Sequence, residues 1–164
     1  MQWEDEHEDN GRSDDFNRVK NMPLTRKASE IMDLVIRICD VIHHHDYEES
    51  HILQESCNYM KSNAMLIQAK IHGAEAVDLY DLKMENAAII RKAALDIVQD
   101  CRTLQIYGFD EEDYLDLVRT DVEDFRLMFL EWVANFDHYT IKGDEWGLFN
   151  PPGYEPGKNQ DDDY

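Results

Sequence analysis

The chain has 164 residues, and 16 Lys+Arg against 36 Asp+Glu leave a formal net charge of −20. That sign argues against a surface built to neutralise nucleic-acid phosphates and against attraction to an anionic membrane face. No apolar run reaches the roughly 18 residues of a membrane span.

Residues 1–20 carry seven acids, Glu4, Asp5, Glu6, Glu8, Asp9, Asp14 and Asp15, and few apolar side chains. Such a segment buries too little to offset its ordering entropy, so a disordered acidic tail is expected there. Its composition matches neither a secretory leader nor an Arg-rich transit peptide. The folded part is expected over 21–140.

A first helix should start near Pro23, with Asn21 as a candidate cap. Leu24, Ala28, Ile31, Val35, Ile38 and Ile42 step by 4, 3, 4, 3, 4 and line one face. Met32, Ile36 and Cys39 form a second apolar row beside it. Only Asp33, Arg37 and Asp40 make a polar stripe, so cover from more than two neighbours is expected. A polar break, HHHDYEES, follows.

The second helix reads from about Glu48 to His72, through Leu53, Cys57, Met60, Ala64, Ile67 and Ile71. Gly73 is the expected stop, in the left-handed position past a helix end. A kink at Gly73 in one long rod is the alternative, and the hairpin is preferred because a rod leaves its apolar stripe short of partners. The third helix should be capped near Asp78 and run to Tyr107, with the row Ala76, Tyr80, Lys83, Ala87, Ile90, Ala94, Ile97, Cys101, Leu104. Gly108 ends it. Asp110 is the expected cap of a fourth helix, whose row Leu115, Val118, Val122, Phe125, Phe129, Trp132, Phe136 fills the core with aromatics. The expected fold is all-α, an antiparallel up-down four-helix bundle. Cys39, Cys57 and Cys101 all fall within its apolar patterns, which suits reduced buried thiols in a cytoplasmic protein.

Residues 141–157 hold Trp146, Leu148, Phe149 and Tyr154 among glycines and the Pro151–Pro152 pair. An arm folded back over the bundle is expected, with a partner-binding strap or a swapped arm in an oligomer as the alternative and the wide apolar face of the first helix as a candidate dock. Residues 158–164 read as a second disordered acidic tail.

Two polar clusters could carry chemistry. Glu75, Asp78, Asp81 and Glu85 step by 3, 3, 4, which puts four carboxylates along one helix face, where like charges repel. Lys83, Arg91 and Lys92 lie near enough to pair with them, and Tyr80 and Asn86 share the segment, Asn86 as a buried amide needing a partner. The second cluster is His43, His44, His45, Glu48 and His51, where Glu48 and His51 have the Glu-x-x-His spacing of di-iron bundles. The second such motif those bundles need is missing from the helical region, so no cofactor is expected. A transition metal held weakly by this turn is the alternative. Arg37 and His43 have an Arg-x5-His spacing that resembles the ribonuclease motif of the HEPN family of helical nucleases. There is no Gly-rich phosphate loop, nucleophile elbow or Cys-x-x-Cys pair.

The stretches DLYDLKMENAAIIRKAALD, residues 78–96, and WGLFNPPG, residues 146–153, resemble a family of small bacterial four-helix-bundle proteins. More distantly the layout is similar to the bundles encoded in 23S rRNA intervening sequences, which implies a ring-forming helical fold and supplies no catalytic residue. Their basic nucleic-acid surface has no counterpart here.

The expected function is a non-enzymatic interaction or assembly protein, homo-oligomeric or engaging a basic protein partner. The alternatives are an enzyme using His43–His51 or Glu75–Glu85, and a nucleic-acid mimic whose carboxylates stand in for phosphates.

Overall fold

A computed structural model describes residues 5–150 and 153–154. It contains α1 (Asp5–Lys20), α2 (Pro23–His44), α3 (Ser50–Glu75), α4 (Tyr80–Ile106) and α5 (Glu112–Ala134), with no strand among the described residues. The tail expected over 158–164 lies outside them. No helix among them is long and apolar enough to cross a membrane.

Most of each core row read from spacing is buried, although Ala76 is exposed, as is Ile36 in the second apolar row of α2. Ile31, Val35 and Ile38 of α2, Leu53, Met60 and Ile71 of α3, Ile90, Ile97 and Leu104 of α4, and Leu115 and Val118 of α5 are all inaccessible to solvent. They belong to one continuous core. α2 packs on α3 and α5, and α4 packs on the same two helices. At one end Arg18 and Trp132 both reach Glu75, beside the start of α4. At the other, the Tyr47 hydroxyl donates to Asp110 (3.1 Å) and Gln105 donates to Glu112 (3.1 Å).

Residues 5–20 are helical, not disordered. α1 ends against α2 and α3, where Val19 is buried and Phe16 stacks on His72 at 4.9 Å between ring centroids. Arg18 adds an ion pair to Glu75 at 3.1 Å. A few long-range contacts outweigh the unfavourable composition, because most helical stability in proteins comes from tertiary packing.

The helix ends differ in detail from expectation. Pro23 does open α2, but Met22 occupies the cap position without a side-chain bond. Asn21 is engaged elsewhere, donating to the Asn17 carbonyl (2.7 Å) and accepting from Arg26 (3.3 Å). Likewise Leu79 and Glu111, not Asp78 and Asp110, stand at the N-caps of α4 and α5, again without a capping bond. Gly73 is neither a stop nor in the left-handed region, since α3 continues through it to Glu75. A Cβ there would lie 3.3 Å from Asn86 Oδ1, so the missing side chain lets α3 and α4 approach closely. The hairpin preferred over the rod is present, and its break falls at residues 76–79.

One half-buried charge works against the fold. Desolvation, reinforced by Asp96, pushes the Asp100 carboxyl up to about 6. The native state therefore holds a proton between about pH 4 and 6 that the unfolded chain releases, and stability falls as pH rises through that window. Solvent screening of a half-buried group keeps the cost above pH 6 to about 1–2 kcal/mol. Asp100→Asn is expected to stabilise the protein by that amount at pH 7.5 and to match the parent near pH 4. Urea titrations at the two pH values check this, and a gain of equal size at both would assign it to something other than the proton.

Candidate functional site

Glu75, Asp78, Asp81 and Glu85 do not share one helix face. Glu75 ends α3, Asp78 lies in the break, and only Asp81 and Glu85 are on α4. The break sends the four carboxylates into two cavities.

The first cavity, about 520 Å3, is lined by Glu75, Asp78, Lys83, Trp132, Phe136 and Asp137 among others. Glu75 is largely buried and accepts from Trp132 Nε1 (2.8 Å) and Arg18 (3.1 Å). Lys83 does not pair with the carboxylates. Its ammonium donates to the Ala74 carbonyl (3.0 Å), an orphan of the last turn of α3. It also stands 5.5 Å from the centroid of the buried Phe136 ring. That explains a lysine in an otherwise apolar row: it ties the end of α3 to the start of α4. Asp137 accepts from the Tyr139 N–H and the Thr140 hydroxyl, which hold its carboxyl below the usual carboxylate range.

The second cavity, about 420 Å3, lies under the arm between Asp81, Leu82 and Glu85 on one side and Asp144, Trp146 and Phe149 on the other. Asp81 accepts from the backbone N–H groups of Lys142 (3.3 Å) and Gly143 (3.1 Å). The Tyr80 N–H donates to the Thr140 carbonyl (2.7 Å), and the Tyr80 ring packs on His138 at 4.6 Å. The arm is therefore held by polar backbone contacts to α4, not laid over α2 by its aromatics. Trp146 is 93% exposed and Leu148 78% exposed. Phe149 is half-buried, and the Tyr154 hydroxyl donates to the Lys142 carbonyl (2.9 Å). Gly143 sits at φ +65 with no room for a side chain against the Tyr154 ring, so glycine is required there.

Of the remaining candidates in this segment, Asn86 donates to the Leu82 carbonyl of its own helix (2.9 Å). Lys92 pairs with Asp96 (2.6 Å). Arg91 turns away to a different face of α4, described below.

His43, His44, His45, Glu48 and His51 are all exposed. The Nδ1 atoms of His44 and His45 lie 2.7 and 2.8 Å from the Asp40 and Val41 carbonyls, so these rings close the last turn of α2. Among the described residues no group of three or more His, Cys, Asp or Glu side chains converges as a metal site. Arg37 and His43 are both exposed on α2.

The site that spacing missed is a groove of about 610 Å3 between α4 and α5, lined mostly by carbon. Leu95 and Leu130 each expose about half their surface beside it (52% for both), over a floor that includes Val98 and Phe129. Arg91, Arg119 and Arg126 line the groove with a single acid, Glu123, in a chain of net charge −20. Arg119 pairs with Asp116 (2.8 Å) and Arg126 with Glu123 (2.6 Å). Leucines falling just outside the buried rows of α4 and α5 were the available signal, and a search for the most apolar row passes over them.

No protein-family model matches the chain, and neither a curated protein nor a solved structure matches it. The resemblance carried by residues 78–96 and 146–153 rests on those residues alone.

Proposed function

We propose that this chain is a non-enzymatic cytoplasmic assembly protein, an up-down four-helix bundle that pairs with a second copy of itself across the α4–α5 face. The single observation that carries this is the apolar groove beside Leu95 and Leu130. Half-exposed leucines over a carbon-lined groove are costly in water and are the usual signature of an association surface. In the polar clusters, by contrast, Glu75, Asp81 and Lys83, and likewise His44 and His45, are spent on structural bonds that end helices and anchor the arm.

The choice of a second copy rests on charge order. Along α5 the groove edge reads Asp116, Arg119, Glu123, Arg126, alternating in sign. Two such rows run antiparallel about an axis through the middle of the row set Asp116 against Arg126 and Arg119 against Glu123 of the second copy. That self-complementarity is what a two-fold interface requires. Away from the row the two copies repel, so salt should strengthen the pairing by screening. A complex with a basic partner would instead weaken.

Light scattering on the full chain tests this across micromolar to millimolar concentration and at two salt levels. The expected result is a rise from 19.3 kDa towards twice that mass, at lower concentration in higher salt. Leu130→Glu is expected to weaken the pairing about tenfold, equivalent to about 1.4 kcal/mol. A mass of 19.3 kDa throughout sinks the proposal.

A further inference from the structure

Two of the core's packed side chains are thiols that face each other across a helix interface. Cys39 of α2 and Cys57 of α3 meet across the helix interface, with Cys39 Sγ 3.7 Å from the Cys57 carbonyl. Each thiol is near enough to shift the titration of the other. Both are free and buried, which by itself describes inert structural cysteines. Their surroundings differ from that description. A cavity of about 320 Å3 is lined by both residues together with His43, Gln54, Asn58 and Lys61. Its lining is polar, it is large enough to admit a small solute, and it carries both Lys61 and Asp40 beside the sulfurs.

We propose that Cys39 and Cys57 form an oxidisable dithiol, closed to a disulfide by a small hydroperoxide entering through this cavity. Cys39 is the attacking sulfur. Its thiol is drawn below the ordinary thiol range by the neighbouring Cys57 thiol and the Lys61 ammonium, against burial and Asp40, whereas the Cys39 sulfur and burial push Cys57 up. The Cys39 thiolate attacks the outer oxygen of the peroxide, and the O–O bond breaks. The leaving oxygen takes a proton to become an alcohol or water, and Cys39 becomes a sulfenic acid. Cys57, losing its proton, then attacks the Cys39 sulfur, and the S–O bond breaks with release of water. The pair has given up two electrons and two hydrogens, and the peroxide has been reduced. Cys101 takes no part. It lies alone on α4, where burial pushes its thiol up to about 12.

The sequence makes the test direct, because residues 38–61 form one tryptic peptide containing both cysteines and Cys101 falls in another, residues 93–102. Hydrogen peroxide is added to the native full chain, remaining thiols are alkylated after denaturation, and the unreduced digest is weighed. Apart from oxygen at Met60, peptide 38–61 is expected unalkylated and about 2 Da lighter than its reduced form, with peptide 93–102 alkylated. In Cys57→Ala the resolving thiol is gone, and Cys39 should instead be captured by dimedone as a sulfenic acid. Two alkylated cysteines in peptide 38–61, oxygen accumulating on one sulfur of the wild type, or a bridge to Cys101 would each overturn the proposal. The wild-type digest decides it even if the variant does not fold.

Discussion

Phe109→Ala is expected to cost about 3–5 kcal/mol, the range for emptying a buried aromatic site. Phe109 is 2% exposed and packs on Tyr47 at 6.1 Å between centroids. Its place is set by the end of α4, where Gly108 takes φ +93. The Gly108 N–H donates to the Gln105 carbonyl (3.3 Å) and the Phe109 N–H to the Leu104 carbonyl (3.0 Å). These are the two bonds of a Schellman cap, in which the residue after the glycine packs on the residue accepting its N–H. Leu104 and Phe109 accordingly join the same core. The phenyl ring thus fills the core, seats the cap of α4 and supports Tyr47, whose hydroxyl reaches Asp110. Phe109→Leu keeps most of the volume and should cost under about 1.5 kcal/mol. Urea unfolding followed by circular dichroism measures both, and a loss below 1 kcal/mol for the alanine variant, on the order of a surface change, would contradict this account.

Phe109 also marks where reading by spacing stops. The rows through Ile31, Leu53, Ile90 and Leu115 are legible because an amphipathic helix must repeat its apolar face every three or four residues. Phe109 lies between helices and belongs to no such row. For Gly73, spacing identifies the residue and not its reason: a left-handed stop and a close approach both ask for glycine, and the helical backbone through Gly73 and the 3.3 Å distance to Asn86 separate them. The carboxylate ladder failed for a related reason. Steps of 3, 3, 4 imply one face only if the helix is continuous, and the break at 76–79 is too short to disturb the count. For the arm, aromatic content pointed to apolar docking, whereas Asp81 accepting two backbone N–H groups fixes it by polar bonds that no side-chain pattern encodes.

Glu75 is the residue on which most of the missed structure converges. An acid in the last turn of a helix is disfavoured by the helix dipole by about 0.3–1 kcal/mol, so propensity gives no reason for it at the end of α3. Its two donors do. Trp132 Nε1 comes from α5 at 2.8 Å, and Arg18 comes from α1 at 3.1 Å, so one carboxylate joins three helices. The two bonds differ in worth. The Arg18 side chain is 53% exposed, so its ion pair contributes up to about 1 kcal/mol. The indole N–H sits in a partly buried cleft, and leaving it unmatched costs about 1–2 kcal/mol. Glu75→Ala is therefore expected to lose about 2–3 kcal/mol in total. Glu75→Gln keeps an acceptor for the indole and gives up the charge, so it should lose under about 1 kcal/mol, close to Arg18→Ala. Hydrogen exchange separates the two roles further. Amides of residues 13–20 should lose protection in all three variants as α1 detaches, while those of α5 around Trp132 should loosen only in Glu75→Ala. If the alanine variant keeps both its stability and the protection of residues 13–20, α1 is held by Phe16 and Val19 alone, and the polar junction is incidental to the fold.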